Sequence, residues 1–248
     1  MDAREIRAAA ESIREWIIDR RRAFHMNPEL GLEEVETADA IESCLEALGI
    51  ERTRRGTAVV GIVRGSRPGG TVALRADIDA LPIKEERDVP YRSRREGVMH
   101  ACGHDGHAAI LLGAARILAE RRTALSGNVK LFFQPAEETE GGAQTMVREG
   151  CLEEPRVDAV FGLHLMPYLP VGKVEVKKGA LNGASTKLKI TIRGKGGHGA
   201  YPESGIDAVL IASNVVIALN VLVSRYVSPL EQAVITVGTI AGGASANI

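Results

Sequence analysis

Residues 108–121 read Ala108-Ala109-Ile110-Leu111-Leu112-Gly113-Ala114-Ala115-Arg116-Ile117-Leu118-Ala119-Glu120-Arg121, and residues 129–133 read Val129-Lys130-Leu131-Phe132-Phe133. In the first run Ile110, Leu111, Ala114, Ala115, Ile117 and Leu118 recur at helical spacing and predict a helix with a broad apolar face. The second run predicts a strand, cut off at Pro135 because proline has no amide to give to a ladder. On the N-terminal side, 58–63 and 71–76 are short β-rich runs separated by the turn Gly65-Ser66-Arg67-Pro68-Gly69-Gly70. On the C-terminal side, 142–149 predicts a short helix closed by Gly150, and 157–163 predicts another strand. Strands that alternate with helices in this way predict an α/β domain with a mostly parallel core sheet.

The flanks complete the organisation. Residues 3–26 predict one helix with the stripe Ile6, Ile13, Trp16, Ile17 and Phe24, ended by Asn27-Pro28-Glu29. A second helix is expected over 33–48, with Gly49 just past its end. A further segment, 174–178, leads into Gly179 and Gly183, and the texture then changes. Residues 186–192 alternate as a strand, 194–199 form a glycine-rich loop, 206–223 predict a helix and 233–240 another strand. This block reads as the start of a second, smaller domain.

Composition excludes several classes. The chain has 248 residues, 45% hydrophobic and 25% charged, with a formal net charge of −1, which offers neither nucleic acid nor an anionic membrane an electrostatic reason to bind. Cys44, Cys102 and Cys151 are odd in number and widely spaced, which argues against a disulfide framework and for a reducing compartment. The N-terminus lacks the basic start and apolar core of a signal peptide, so a cytoplasmic location is expected. The most apolar stretch, 208–223, contains Ser213, Asn214 and Asn220 and reads as a buried helix, since spanning takes about 20 predominantly apolar residues.

In open α/β sheets ligands bind beyond the carboxyl ends of the strands. Asp77 and Asp79 follow the strand at 71–76; they read as turn or capping residues, or as groups that orient a histidine. Glu137 and Glu138 follow the strand at 129–133 and read as a solvated acidic pair, or as a metal carboxylate beside a general base. His164 closes the strand at 157–163 and is weak evidence alone. The segment His100-Ala101-Cys102-Gly103-His104-Asp105-Gly106-His107 packs three histidines, a cysteine and an aspartate into eight positions, the side chains that bind transition metals. Gly103 lets Cys102 and His104 turn to one side, and the following helix start is expected to favour a Cys102 thiolate. His25 takes no role. The run Gly194-Lys195-Gly196-Gly197-His198-Gly199 matches G-x-G-x-x-G, but no helix follows directly and positions 212–224 hold no acid, so it reads as a mobile loop carrying His198 and not as a dinucleotide site.

Five ordered motifs carry a resemblance: Phe24-His25 with Asn27-Pro28-Glu29-Leu30, Arg75-Ala76-Asp77-Ile78-Asp79-Ala80-Leu81-Pro82, the His100–His107 segment, Gln134-Pro135-Ala136-Glu137-Glu138, and Gly196-Gly197-His198-Gly199-Ala200-Tyr201-Pro202. Together they resemble the amidohydrolases of the metallo-aminoacylase and carboxypeptidase superfamily, in the subgroup of hippurate hydrolase and N-acyl-amino-acid amidohydrolases. The resemblance implies a zinc-exopeptidase-like catalytic domain over 1–180, lacking its C-terminal return, and an inserted, incomplete α+β lid over 181–248 through which a homodimer forms. It implies two divalent metal ions, zinc, manganese, nickel or cobalt, with Cys102, His104, Glu138 and His164 as ligands. It implies Glu137 as general base, Asp79 as the residue orienting a ligand, and His198 as a lid residue that steadies the oxyanion in the partner subunit. The implied reaction is hydrolysis of N-acyl amino acids; dipeptidases and carboxypeptidases share the superfamily. The family's last ligand is a histidine far downstream, and none of the six histidines here occupies that position, so the chain is expected to be a partial family member or an inactive metal-binding or dimerising fragment.

Overall fold

The computed structural model describes residues 2–139, 141–181 and 183–248, and they fall into two compact units, 1–171 and 172–248. The first unit opens with α1 (Ala3–Ser12) and α2 (Arg14–Met26). The single helix expected over 3–26 is broken at Ile13, whose backbone leaves the helical region at φ −112° and ψ 11°. Ile13 is nevertheless buried with Ala9 and Ile117, so the apolar stripe continues across the break. Then come α3 (Val35–Ala47), β1 (Glu51–Arg55), β2 (Ala58–Arg64) and β3 (Arg67–Asp77), followed by α4 (His104–Glu120), β4 (Ser126–Gln134), α5 (Gly142–Arg148) and β5 (Ala159–Gly162). Gly49 follows α3 at φ +63°, the left-handed conformation that ends a helix and that glycine adopts without a Cβ penalty.

The five strands form one sheet in the order β1-β2-β4-β3-β5. β3 runs parallel to β4 on one side and to β5 on the other, while β2 is antiparallel to both β1 and β4. The α/β class expected from the alternation is present, in a mixed sheet whose parallel part is β4-β3-β5. The runs at 58–63 and 71–76 are not neighbours, because β4 lies between them. β1 carries Glu51-Arg52-Thr53-Arg54-Arg55, an edge strand with no apolar signal to announce it.

Strand order dictates where the helices go. The step from β3 to β4 and the step from β4 to β5 cross the sheet in opposite directions, and right-handed crossovers then place the two connecting helices on opposite faces. Leu131 and Phe133 accordingly pack with Ala108, Leu111, Leu112 and Ala115 of α4, whereas Phe132 between them packs with Met146 of α5. α3 adds Ala38, Ile41 and Leu45 to the α4 face. The carboxyl end of β3, where the order reverses, is the crevice such sheets leave for a ligand.

In the second unit α6 (Ala208–Tyr226) is the one helix longer than a single turn among the described residues. Ala208, Ala212, Val215, Val216, Leu219 and Val223 are half-buried at helical spacing, but no residue of α6 is buried. The buried helix expected over 208–223 is therefore a partly covered one. By length and a mean hydropathy of 1.9, α6 is long and apolar enough to cross a membrane. The strands expected at 186–192 and 233–240 do not form; among the described residues of this unit the only bridge joins Lys195 to Ile206. A strand exists through a hydrogen-bonded neighbour, and these alternating runs lack one.

Phe133 is fully buried where both α3 and α4 meet the sheet. Phe133→Ala is expected to cost about 3–5 kcal/mol in denaturant unfolding; a loss below about 1 kcal/mol contradicts this core.

Candidate metal centre

Three loops and one helix start meet beyond the carboxyl ends of β3, β4 and β5. β3 ends at Asp77 and delivers Asp79 two residues on, β4 leads through Gln134-Pro135-Ala136 to Glu137 and Glu138, and β5 leads to His164. Gly103 begins α4 at φ +88°, a left-handed conformation that turns Cys102 and His104 to the same place. Cys102 Sγ lies 3.3 Å from His164 Nε2, and His104 Nε2 lies 3.9 Å from Glu138 Oε1 and 3.6 Å from Asp77 Oδ2. Three overlapping groups bring their donor atoms within 4.8 Å of one another: Cys102 with His104 and His164, His104 with Glu137 and Glu138, and Asp77 with His104 and His107. Of the residues expected from sequence, Cys102, His104, Glu137, Glu138, His164 and Asp79 are thus brought together. His198 belongs to the second unit, where it is exposed, accepts a hydrogen bond from the Ala200 amide at 3.1 Å and meets the Tyr201 ring at a tilt of 55°. Asp77, read from sequence with Asp79 as a turn residue or a group that orients a histidine, joins the cluster beside His104 and His107.

The hydrogen bonds fix the histidine at the centre. His104 Nδ1 sits 3.0 Å from both the Asp79 carboxylate and the Asp79 carbonyl, which are acceptors only, so Nδ1 carries the hydrogen. That leaves Nε2 turned toward Asp77 and Glu138, buried and without a hydrogen-bond partner, where a metal ion would take its lone pair in place of a proton. A buried polar atom left unpaired is costly, and a cation at this point satisfies it. The Asp79 carboxylate also accepts the Glu138 amide at 2.9 Å, tying the two loops together.

The electrostatics ask for positive charge. Burial pushes the Cys102 thiol up, its contacts with Glu138 and the charges of Asp77 and Glu137 push it further, and its pKa reaches about 12. In the absence of a cation, the thiolate expected at the helix start is therefore opposed by burial first and by the surrounding carboxylates second. A divalent cation among these donors reverses the balance, since a coordinating thiol is deprotonated. Burial also opposes the charged forms of Asp77 and His104. The His107 hydrogen bond and the charges of His104 and Arg75 outweigh it at Asp77, holding that carboxyl at about 2, and Asp79, Asp77 and Glu138 outweigh it at His104, whose pKa is raised.

Buried groups behind the cluster hold its loops. His25 places one ring nitrogen 2.9 Å from Asp105 and the other 3.1 Å from Glu85, linking the end of α2 to the start of α4. Both partners are carboxylates, which accept, so this arrangement favours a ring that donates from both nitrogens, and the Asp105 hydrogen bond, against burial, raises the pKa of His25. Glu34, fully buried, accepts the Thr57 hydroxyl at 2.7 Å and the Ala136 amide at 2.8 Å, one residue before Glu137. Neither His25 nor Glu34 is legible as a partner of these loops in sequence, because 80 positions separate His25 from Asp105 and 102 separate Glu34 from Ala136.

Residues 73–246 match the model of peptidase family M20/M25/M40. The chain belongs to that family. It is 45% identical to an N-acetyl-L-cysteine deacetylase of Bacillus subtilis over 96% of this chain and 57% of the relative. It is likewise 45% identical to the IAA-amino acid hydrolase ILR1-like 5 of Arabidopsis thaliana, over 97% of this chain and 55% of the relative. The chain thus spans a little over half the length of these curated relatives. Among solved structures, the Bacillus subtilis YXEP protein, described as a dinuclear metal binding peptidase from the M20 family, matches at 43% identity and TM-score 0.66, covering 68% of this chain and 47% of that one. A structure from methicillin resistant Staphylococcus aureus that carries the name aminohydrolase matches at 35% identity and TM-score 0.82, covering 99% of this chain and 66% of that one.

Two outcomes follow from the buried carboxylates. Glu34→Ala leaves the Ala136 amide and the Thr57 hydroxyl unpaired, each worth about 1–3 kcal/mol, so denaturant unfolding should show a loss of at least about 2 kcal/mol. Glu34→Gln keeps an acceptor and should lose less; equal losses would assign the effect to volume. The stability that Asp77 contributes is complete above its ordinary pKa of 3.8 and is lost as pH falls toward 2. Wild-type unfolding free energy should therefore fall more steeply than that of Asp77→Asn across this window, and parallel curves would contradict the His107 and Arg75 pairing.

Proposed function

We propose that this chain carries the metal centre of a hydrolase that cleaves the amide bond of N-acyl amino acids, giving a carboxylate and a free amino acid. The observation that carries the reading is the buried, unpaired His104 Nε2 among Cys102, Glu138, Asp77 and His164. Cys102, His104, Glu138 and His164 would hold the divalent ions, and Asp79 fixes the His104 tautomer that leaves Nε2 free to ligate. The mixed thiolate, imidazole and carboxylate donors suit zinc, manganese, cobalt or nickel. Bound there, the ions supply Lewis acidity to the scissile carbonyl and to the attacking water.

Glu137 is exposed beside the cluster and belongs to the same donor group as His104 and Glu138. It takes the proton of the attacking water at its carboxylate and returns it to the leaving amine nitrogen. The second unit would supply the lid and the homodimer contact, with His198 as donor to the developing oxyanion in the partner subunit. The named activities of the relatives, on N-acetyl-L-cysteine and on IAA-amino acids, support acyl amino acids as the substrate class.

The test is a hydrolysis panel of N-acetyl, N-benzoyl and N-succinyl amino acids with added zinc, manganese, cobalt or nickel. It is run on this chain and on a version extended to the length of the relatives. Glu137→Ala should bind metal as the wild type does and lose about 10²–10⁴-fold or more in turnover. Undiminished turnover by that variant contradicts the role given to Glu137, and a chain that binds none of the four metals contradicts the reading itself.

A further inference from the structure

His164 arrives at the cluster by the least supported route. β5 is four residues long, pairs only with β3 among the described residues, and is exposed along its length, as is His164 itself. Something other than the strand must hold this ring beside Cys102.

A chain of hydrogen bonds anchored on buried Asp77 and His107 does so. Arg75 on β3 donates from Nη1 to Asp77 Oδ2 at 2.7 Å. The other oxygen of Asp77, Oδ1, lies 2.5 Å from His107 Nδ1. His107 Nε2 lies 2.8 Å from the backbone nitrogen of Leu165. The direction is fixed at both ends. A backbone N–H only donates, so Nε2 accepts; Asp77 is ionised and only accepts, so Nδ1 carries the hydrogen. His107 is therefore a neutral ring that passes the rigidity of β3 to the residue directly after His164. His107 and Asp77 are each 1% exposed, so water does not compete for the bond between them.

Packing adds to the pin. The His107 and His164 rings meet edge to face with centroids 4.8 Å apart. The Leu165 side chain lies over the first turn of α4, where a Cβ at Gly106 would come within 2.5 Å of Leu165 Cδ1. The missing side chain at Gly106 leaves room for the Leu165 side chain in this position.

We propose that His107 is a positioning residue for His164: by accepting the Leu165 amide it holds the His164 ring where it can ligate a metal ion together with Cys102. The inference rests on the reading of Cys102 and His164 as ligands, and its tests separate the two. The first needs no metal. Nitrogen NMR of the metal-free wild-type chain should show His107 as the Nδ1–H tautomer; an Nε2–H tautomer or a doubly protonated ring overturns the proposal whatever the chain does with metal.

The second test is zinc affinity by chelator competition. His107→Phe should weaken zinc binding about 10–100-fold, the usual cost of removing a group that orients a ligand. His107→Gln places a carbonyl near the position of Nε2, can still accept the Leu165 amide, and should recover most of that loss. In a His164→Ala background, His107→Phe should cause no further weakening, because His107 acts through His164. An equal loss in both backgrounds, or no recovery by His107→Gln, overturns the proposal. Wild-type chain that fails to bind zinc counts against the hydrolase reading alone. If His107→Phe does not fold, the tautomer and the His107→Gln affinity decide.

Discussion

Right-handed connections on either side of β3 force α4 and α5 onto opposite faces of the sheet, and the rest of the site follows from that constraint. Because the strand order reverses at β3, no helix crosses its carboxyl end. β4 and β5 run parallel to β3 on its two sides, so Glu137, Glu138 and His164 reach the same crevice as Asp77 and Asp79. α4 starts at that edge too and brings Cys102 and His104 to it through the left-handed Gly103. Residues far apart in the chain become neighbours because three strand ends and one helix start share an edge.

The assembled cluster is out of electrostatic balance by itself. Asp77, Glu137 and Glu138 crowd a thiol and the unpaired nitrogen of His104, and burial together with these charges raises the thiol's pKa to about 12. A fold tolerates such a concentration of like charge where a cation resolves it. Around the cluster, buried pairs hold its parts: Glu34 on the Ala136 amide, His25 between Asp105 and Glu85, and His107 between Asp77 and the Leu165 amide. These groups touch no substrate; they reduce the freedom of the loops that carry the donors.

Much of this was legible in the sequence, for local reasons. The 3.6-residue period marked 108–121 and the apolar run ended by Pro135 marked 129–133, and both elements form within a few residues of those bounds. The strand-end positions of Asp79, Glu137, Glu138 and His164 followed from the strands expected at 71–76, 129–133 and 157–163. What escaped was non-local. β1 is a charged edge strand whose only signature is its pairing with β2. The break at Ile13 leaves the apolar stripe intact, so periodicity cannot register it. The state of the Cys102 thiol depends on carboxylates from two other loops, which a helix-dipole argument from residues 102–108 does not include. In 172–248 the alternating runs expected as strands find no ladder partner, and alternation alone does not supply one.

The claim on which the account turns is that Cys102 and His104 belong to a metal centre and are not an inert thiol beside a buried imidazole. Cobalt(II) titration followed in the near ultraviolet tests it directly, because a thiolate bound to cobalt gives an intense charge-transfer band that a free thiol does not. The account predicts that the band appears on titration of the wild-type chain, that protons are released as the Cys102 thiol ionises, and that Cys102→Ser abolishes the band. A wild-type chain that binds cobalt without the band, or a band that survives Cys102→Ser, would contradict it.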